Sequence, residues 1–169
     1  FNVPNILFYD KKNLSLIFEI IKGKKIRKVS RNDIRECLKF LKKINSKKVQ
    51  KHFINFQKAS DSCLSYEEHI KCVEKRIIDL LKTKSQSNSS FKINKFLKKI
   101  LFKKFLELKD MLEKKYSKKI LKKKLSKNEI IVSPSDFGFH NIIKDKNKLF
   151  FIDFEYGGLD DPIKLLCDF

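Results

Sequence analysis

Three oxygen-bearing side chains near the C-terminal end of the chain are spaced so that they could share one chemical task. Asp136 and Asn141 are five residues apart with Gly138 between them, and Asp153 follows where a predicted hairpin closes. A tight loop between two strands can gather such groups. Two carboxylates that converge repel, which raises one pKa unless a cation sits between them. Asp and Asn oxygens are hard ligands suited to Mg²⁺, which usually completes its shell with water and phosphate oxygens.

The elements that must position these groups are legible from pattern. Glu129–Ser133 predicts a short strand, and Asn141–Lys144 and Leu149–Phe154 predict a hairpin across Asp145-Lys146-Asn147-Lys148. Residues 155–162 predict a loop that opens another helix. At the front, Val3–Tyr9 and Leu14–Ile21 form a strand pair around the turn Asp10-Lys11-Lys12-Asn13, and Gly23 ends the second strand. Ser30 and Asp33 resemble a capping box for a helix over 31–45, with Ile34, Cys37, Leu38, Leu41 and Ile44 inward. Residues 46–64 are less regular. Ser65-Tyr66-Glu67-Glu68 starts a second helix to about 82, with Ile70, Val73, Ile77 and Leu81 inward. After a polar loop over 84–90 comes a long amphipathic helix. Its expected inward residues are Ile93, Phe96, Leu97, Ile100, Leu101, Leu108, Met111 and Leu112, with a break near Ser117 before it continues towards Leu125. Strands, then helices, then short strands predict an α+β fold rather than an alternating parallel sheet.

Composition narrows the function classes. Lys+Arg 40 against Asp+Glu 20 gives a net charge of +20, which excludes an acidic solvating tail and raises the question of a polyanionic partner. Arg occurs only at 27, 31, 35 and 76, whereas nucleic-acid readers favour its bidentate fork. The lysines are therefore read as biased composition on solvated faces, and the Lys/Phe interleaving over 91–105 as a core helix rather than a base-stacking platform. Four Cys without close pairing argue against a disulfide scaffold. No apolar run reaches the roughly 20 residues of a membrane span, and the start lacks a signal-peptide pattern.

An Asp, an Asn five residues on and an Asp on a following loop is the layout of the kinase phosphoryl-transfer site. Ser133-Pro134-Ser135-Asp136-Phe137-Gly138-Phe139-His140-Asn141, then Phe151-Ile152-Asp153-Phe154-Glu155-Tyr156-Gly157-Gly158 and Asp161-Pro162, resemble the aminoglycoside phosphotransferase and choline kinase superfamily. The resemblance implies a protein-kinase-like fold and transfer of the γ-phosphoryl group of ATP to a hydroxyl of a small molecule. It implies Asp136 as catalytic base, with Asn141 and Asp153 as Mg²⁺ ligands. It further implies that Phe18, Glu19, Ile20 and Ile21 belong to the hinge that meets adenine. Residues 1–23 would then end the N-terminal lobe, and 24–169 would form most of a helical C-terminal lobe carrying the catalytic and metal loops. The match is strongest over 131–169, plausible over 3–45 and architectural between. An ATP-dependent enzyme with reduced thiols is expected in the cytoplasm.

Departures from the family pattern motivate an alternative: a catalytically inactive kinase-like module that binds nucleotide or a partner protein. Pro134 and Ser135 replace the His-Gly that commonly precedes the Asp, and Lys164 stands where relatives often carry a loop-supporting Asp, for which Asp168 is a candidate substitute. Gly138 matches the aminoglycoside-type loop. With only Gly23, Gly138, Gly157 and Gly158 there is no glycine-rich phosphate loop, so the chain reads as a fragment that would not turn over alone. His140 reads as structural, substrate-lining or acid/base. Glu155 either reaches the site or braces its loop, and Asp160 and Asp161 read as helix caps rather than catalysts.

Overall fold

The computed structural model describes residues 1–53, 55–82 and 88–169. It is a mixed α+β structure in two compact units, one of Phe1–Ser62 with Ile130–Phe169, the other of Cys63–Glu129. Its sheets are small and antiparallel.

In the first unit, β1 (Ile6–Asp10) pairs with β2 (Ser15–Phe18). Asp10 closes their turn by accepting from the N–H groups of Lys12 and Asn13. A second sheet has the order β3 (Lys24–Lys25), β5 (Ile142–Asp145), β6 (Lys148–Phe151). A third pairs β4 (Ile131–Ser133) with β7 (Gly158–Asp160), Val132 opposite Leu159. The strand β7 lies inside the stretch expected as loop, and β3 was not foreseen. Both are two- or three-residue strands, too short for alternation to register. The second hairpin strand ends at Phe151, so Ile152, Asp153 and Phe154 lie beyond it.

Helix α1 (Arg31–Ile44) starts at the expected capping box, with Ser30 and Asp33 each bonding the other's backbone N–H. Its buried residues are Asp33, Cys37, Phe40, Leu41 and Ile44, whereas Ile34 and Leu38 are exposed, against expectation. The face is rotated because Phe40 stacks on Phe151 at 4.1 Å between ring centroids, and Asp33 is drawn in by Lys144 on β5 at 2.6 Å. Together with Val132, Phe137, Ile142, Leu149, Phe151 and Leu165 this face forms the core. Between α1 and Phe53 come α2 (Lys47–Gln50) and a 3₁₀ turn over Lys51–Phe53. The unit ends with α7 (Pro162–Asp168), capped by Asp161 Oδ1, which accepts from the N–H of Ile163 at 2.7 Å.

In the second unit, α3 (Tyr66–Lys82) begins where Ser65 Oγ accepts from the Glu68 N–H. The return arm differs from the expected box: Glu68 Oε2 accepts from the N–H of Leu64. Of its expected stripe Ile77 is buried, Ile70 and Leu81 are half-buried, and Val73 is exposed. The expected polar loop lies outside the described residues over 84–87, and its last three residues open α4 (Asn88–Phe96). A π-helical turn over Leu97–Leu101 joins α4 to α5 (Phe102–Lys115). Ser117 then caps α6 (Lys118–Lys122), the predicted break. The long helix carries two adjacent apolar stripes, and a helix can bury only one against its neighbours. Leu97, Leu101, Phe105 and Leu112 take that side, while Ile93, Phe96, Ile100, Leu108 and Met111 stay exposed. No described helix is long and apolar enough to cross a membrane.

Candidate active site

The loop from β4 to β5 is held at both ends and pushed outward at its centre. On its entry side Val132 and Ser133 are buried, and Ser133 Oγ accepts from the Ser135 N–H at 3.0 Å. Ser135 then adopts a left-handed conformation with φ 69°, turning the chain at the position before Asp136. This turn and the anchoring of Phe137 decide where Asp136 points. Phe137 is buried, stacks on Phe40 and Phe151 and meets Phe169 in a tilted contact, so its neighbour projects to the surface with a side chain 57% exposed.

Past Asp136 the loop tightens. The Asn141 N–H donates to the Gly138 carbonyl at 3.0 Å, closing a 3₁₀ turn over Phe139–Asn141. Asn141 Nδ2 donates to the Asp136 carbonyl at 3.0 Å and to Asp136 Oδ2 at 3.3 Å. His140 Nε2 stands 3.0 Å from the same Oδ2. Asp136 and Asn141 thus meet directly, and His140 joins them.

Asp153 arrives by main-chain pairing. The N–H of Ile152 donates to the carbonyl of Asn141 at 3.1 Å, which sets the residue before Asp153 against Asn141 on the neighbouring loop. Asp153 itself is exposed with φ 65°, and Phe154 after it stacks on Phe40 at 6.0 Å. Phe40 therefore supports the residues next to both acidic groups. Tyr156 senses the cluster: its hydroxyl pKa lies above the usual range, first through the hydrogen bond to Glu155, then through that carboxylate's charge and the negative charges of Asp153 and Asp136. Glu155 is exposed and makes no ion pair among the described residues, so it does not brace its loop that way.

The chain leaves the site through β7. A Cβ on Gly158 would stand 2.5 Å from the backbone nitrogen of Ala59 and the carbonyl oxygen of Gln57, so only glycine admits the segment that runs alongside. That segment donates from Ala59 N–H to the Leu159 carbonyl and accepts from the Leu159 N–H at Gln57 O.

The Lys164 departure has a structural role. Lys164 is buried between Asp168 at 2.7 Å and Asp160 at 3.3 Å. Burial works against its charge, yet the two carboxylates outweigh it and hold its pKa above the ordinary lysine value. Among the described residues the Asp168 carboxylate pairs with Lys164 and makes no hydrogen bond to the Asp136 loop, which Ser133 Oγ and the Phe137 ring brace.

Phe18–Ile21, expected as a hinge, form a separate feature. Phe18 ends β2 and is exposed, as is Ile20, while Ile21 is half-buried. Glu19 is tied to Asn5: its carboxylate accepts from the Asn5 N–H and Nδ2, and its own N–H donates to the Asn5 carbonyl at 2.9 Å. Among the described residues, the main chain of Ile20 and Ile21 forms no hydrogen bond, and none links Phe18–Ile21 to Asp136, Asn141 or Asp153.

The donor set is compatible with Mg²⁺. Asn141 uses its amide nitrogen on Asp136, which leaves Oδ1 without a donor among the described residues, and Asp153 accepts no hydrogen bond there. Both groups thus present oxygens of the hard type that Mg²⁺ takes. Among the described residues no three His, Cys, Asp or Glu side chains gather into a group that could hold a metal ion. An apolar cavity of about 250 Å³, walled by Phe40, Ile44, Val132, Pro134 and Phe154, lies under these loops and holds no charged side chain, so it is unsuited to phosphates.

Three residues that serve the site escaped sequence reasoning. Asn45 clamps β4, Phe40 carries both loops, and Tyr156 sits among the carboxylates. Only Tyr156 had a signal, its place within the Asp153 motif. No protein-family model and no curated protein sequence matches the chain.

Proposed function

We propose that this chain belongs to an ATP- and Mg²⁺-dependent phosphotransferase with a protein-kinase-like fold, acting on a hydroxyl of a small molecule such as an amino sugar, a sugar or a choline-like compound. One observation carries the reading. Asp136 and Asn141 are hydrogen-bonded on one loop, and the Ile152–Asn141 main-chain bond sets the Asp153 loop beside them.

In this reading Asn141 and Asp153 would hold the ion, which would offset the negative charge of the phosphates. Asp136, exposed and fixed by its neighbours, accepts the hydroxyl proton as that oxygen bonds to the γ-phosphorus. The bond from phosphorus to the β–γ bridging oxygen breaks, and ADP leaves with its electron pair. Positioning of this kind supplies most of the rate in phosphoryl transfer. The bare main chain of Ile20 and Ile21 is suited to the adenine edge, with Phe18 and Glu19 shaping the hinge. ATP as co-substrate supports a cytoplasmic setting in this reading.

The test is turnover by the full-length protein with MgATP and a panel of hydroxyl acceptors. Asp136→Asn is expected to abolish transfer while leaving the fold and nucleotide binding nearly unchanged; wild-type-like turnover in that variant removes the assignment. The buried Lys164, where a supporting carboxylate would be expected, favours a second reading as an inactive kinase-like nucleotide- or protein-binding module. Mg²⁺-dependent ATP binding by the wild type without transfer to any acceptor would select it.

A further inference from the structure

Two side-chain nitrogens converge on one oxygen of Asp136. His140 Nε2 lies 3.0 Å from Oδ2 and Asn141 Nδ2 lies 3.3 Å from it, while no described residue donates to Oδ1. The loop is built to allow this. A Cβ on Gly138 would stand 2.6 Å from both Cε1 and Nδ1 of the His140 ring. The Gly138 backbone, at φ −117° and ψ 165°, is ordinary extended chain that any residue adopts. Its missing side chain therefore serves the imidazole and not the backbone.

We infer that His140 is a positioning residue for Asp136, donating from Nε2–H to Oδ2 so that Oδ1 alone is presented to the acceptor hydroxyl. The inference rests on the phosphotransferase reading above. A neutral imidazole donates from one nitrogen only, so the ring carries its proton on Nε2 and leaves Nδ1 as an acceptor. Without it, Asn141 alone fixes the carboxylate, which then samples rotamers that turn both oxygens away from the hydroxyl. A group that orients a catalytic partner typically contributes roughly 10- to 100-fold when removed.

The experiment uses the full-length protein with MgATP and the best acceptor of the panel. His140→Ala is expected to lower kcat roughly 10- to 100-fold with little change in KM for ATP. His140→Gln, whose amide N–H falls near the place of Nε2–H, is expected to recover most of the loss. Gly138→Ala keeps the imidazole but evicts it from the loop, so it is expected to match His140→Ala, and the double variant to lose no more than either. Wild-type kcat in His140→Ala, or fully additive losses in the double variant, would overturn the inference. An independent readout is the side-chain nitrogen resonances of His140. A ring protonated on Nε2 whose signal moves in Asp136→Asn supports the pair, and one protonated on Nδ1 and indifferent to that change overturns it. Absence of any wild-type turnover fails the broader reading and the positioning role of His140 with it, whereas the nitrogen resonances still report whether the pair exists.

Discussion

The side-chain amide of Asn45 pairs with both main-chain polar groups of Val132, donating to its carbonyl at 2.9 Å and accepting from its N–H at 2.8 Å. A residue at the end of α1 thereby behaves as one more strand position beside β4, and the strand that feeds Asp136 is fixed to the helix that carries Phe40. Removing the amide leaves two partly buried backbone groups without partners, each worth about 1–3 kcal/mol. Asn45→Ala is expected to destabilise the protein by at least about 2 kcal/mol and to speed hydrogen exchange at the Val132 amide. Unchanged exchange there would show that the clamp is not what holds β4.

The Asp33–Lys144 pair gives stability a defined acid limb. Lys144 Nζ lies 2.6 Å from a carboxylate that is almost fully buried, and this bond, helped by Ser30, lowers the Asp33 pKa from its usual 3.8 to about 2. A depressed folded value means that the contribution is complete above the unfolded value and is lost as pH falls through the folded one. Urea unfolding should therefore lose about 2 kcal/mol between roughly pH 4 and pH 2, and Asp33→Asn should flatten that limb while lowering stability at neutral pH.

Lys164 should be harder to replace than its neighbours. Lys164→Met leaves the buried carboxylate of Asp160 without its cation, and breaking a buried pair in this way costs about 3–5 kcal/mol. The companion variant Asp160→Asn with Lys164→Met is expected to recover much of that loss. Because the lysine pKa is raised, its contribution is full below the usual lysine value of 10.5 and fades only as pH climbs through the folded one. Thermal melts of the single and double variants decide the point.

Phe40 supports both acidic loops, through Phe137 on one side and Phe154 on the other. Phe40→Ala should cost about 3–5 kcal/mol as a core truncation. Near-UV circular dichroism should also fall, because the stack of rings loses its centre. A loss of stability with the aromatic signal intact would mean that the rings re-pack around the cavity.

Asp153→Asn is expected to weaken MgATP binding at least about tenfold, the equivalent of ~1.4 kcal/mol, while leaving binding of metal-free ATP nearly the same. Calorimetry with and without Mg²⁺ separates the two. Equal affinity in the presence of the ion would remove Asp153 from the metal set.

Local signals carried the reading of the sequence as far as local physics reaches. The Ser30 and Ser65 starts, the Ser117 break, the β1–β2 hairpin and the closeness of Asp136 to Asn141 follow from short-range hydrogen bonding and spacing, and all are present. What was not legible depends on partners far away in the chain. Asp33 is buried because of Lys144, Phe40 replaces Ile34 on the inner face because of Phe151, and Asn45 looks like an ordinary helix end until Val132 lies beside it. The two stripes of the long helix could not be ranked for a similar reason, since α4 and α5 are equally apolar along both until a neighbour chooses one.

Ser135 at φ 69° and Asp153 at φ 65° hold the chain where a residue without a side chain would be more comfortable. Screens for heat tolerance and screens for phosphate transfer should therefore pull apart at these two positions. Ser135→Gly would tend to be enriched by heat while freeing the backbone that aims Asp136, and Asp153→Gly would relax the turn while deleting the oxygen pair proposed to bind the ion. A library sorted by survival alone would drift towards sturdier proteins that have lost their chemistry.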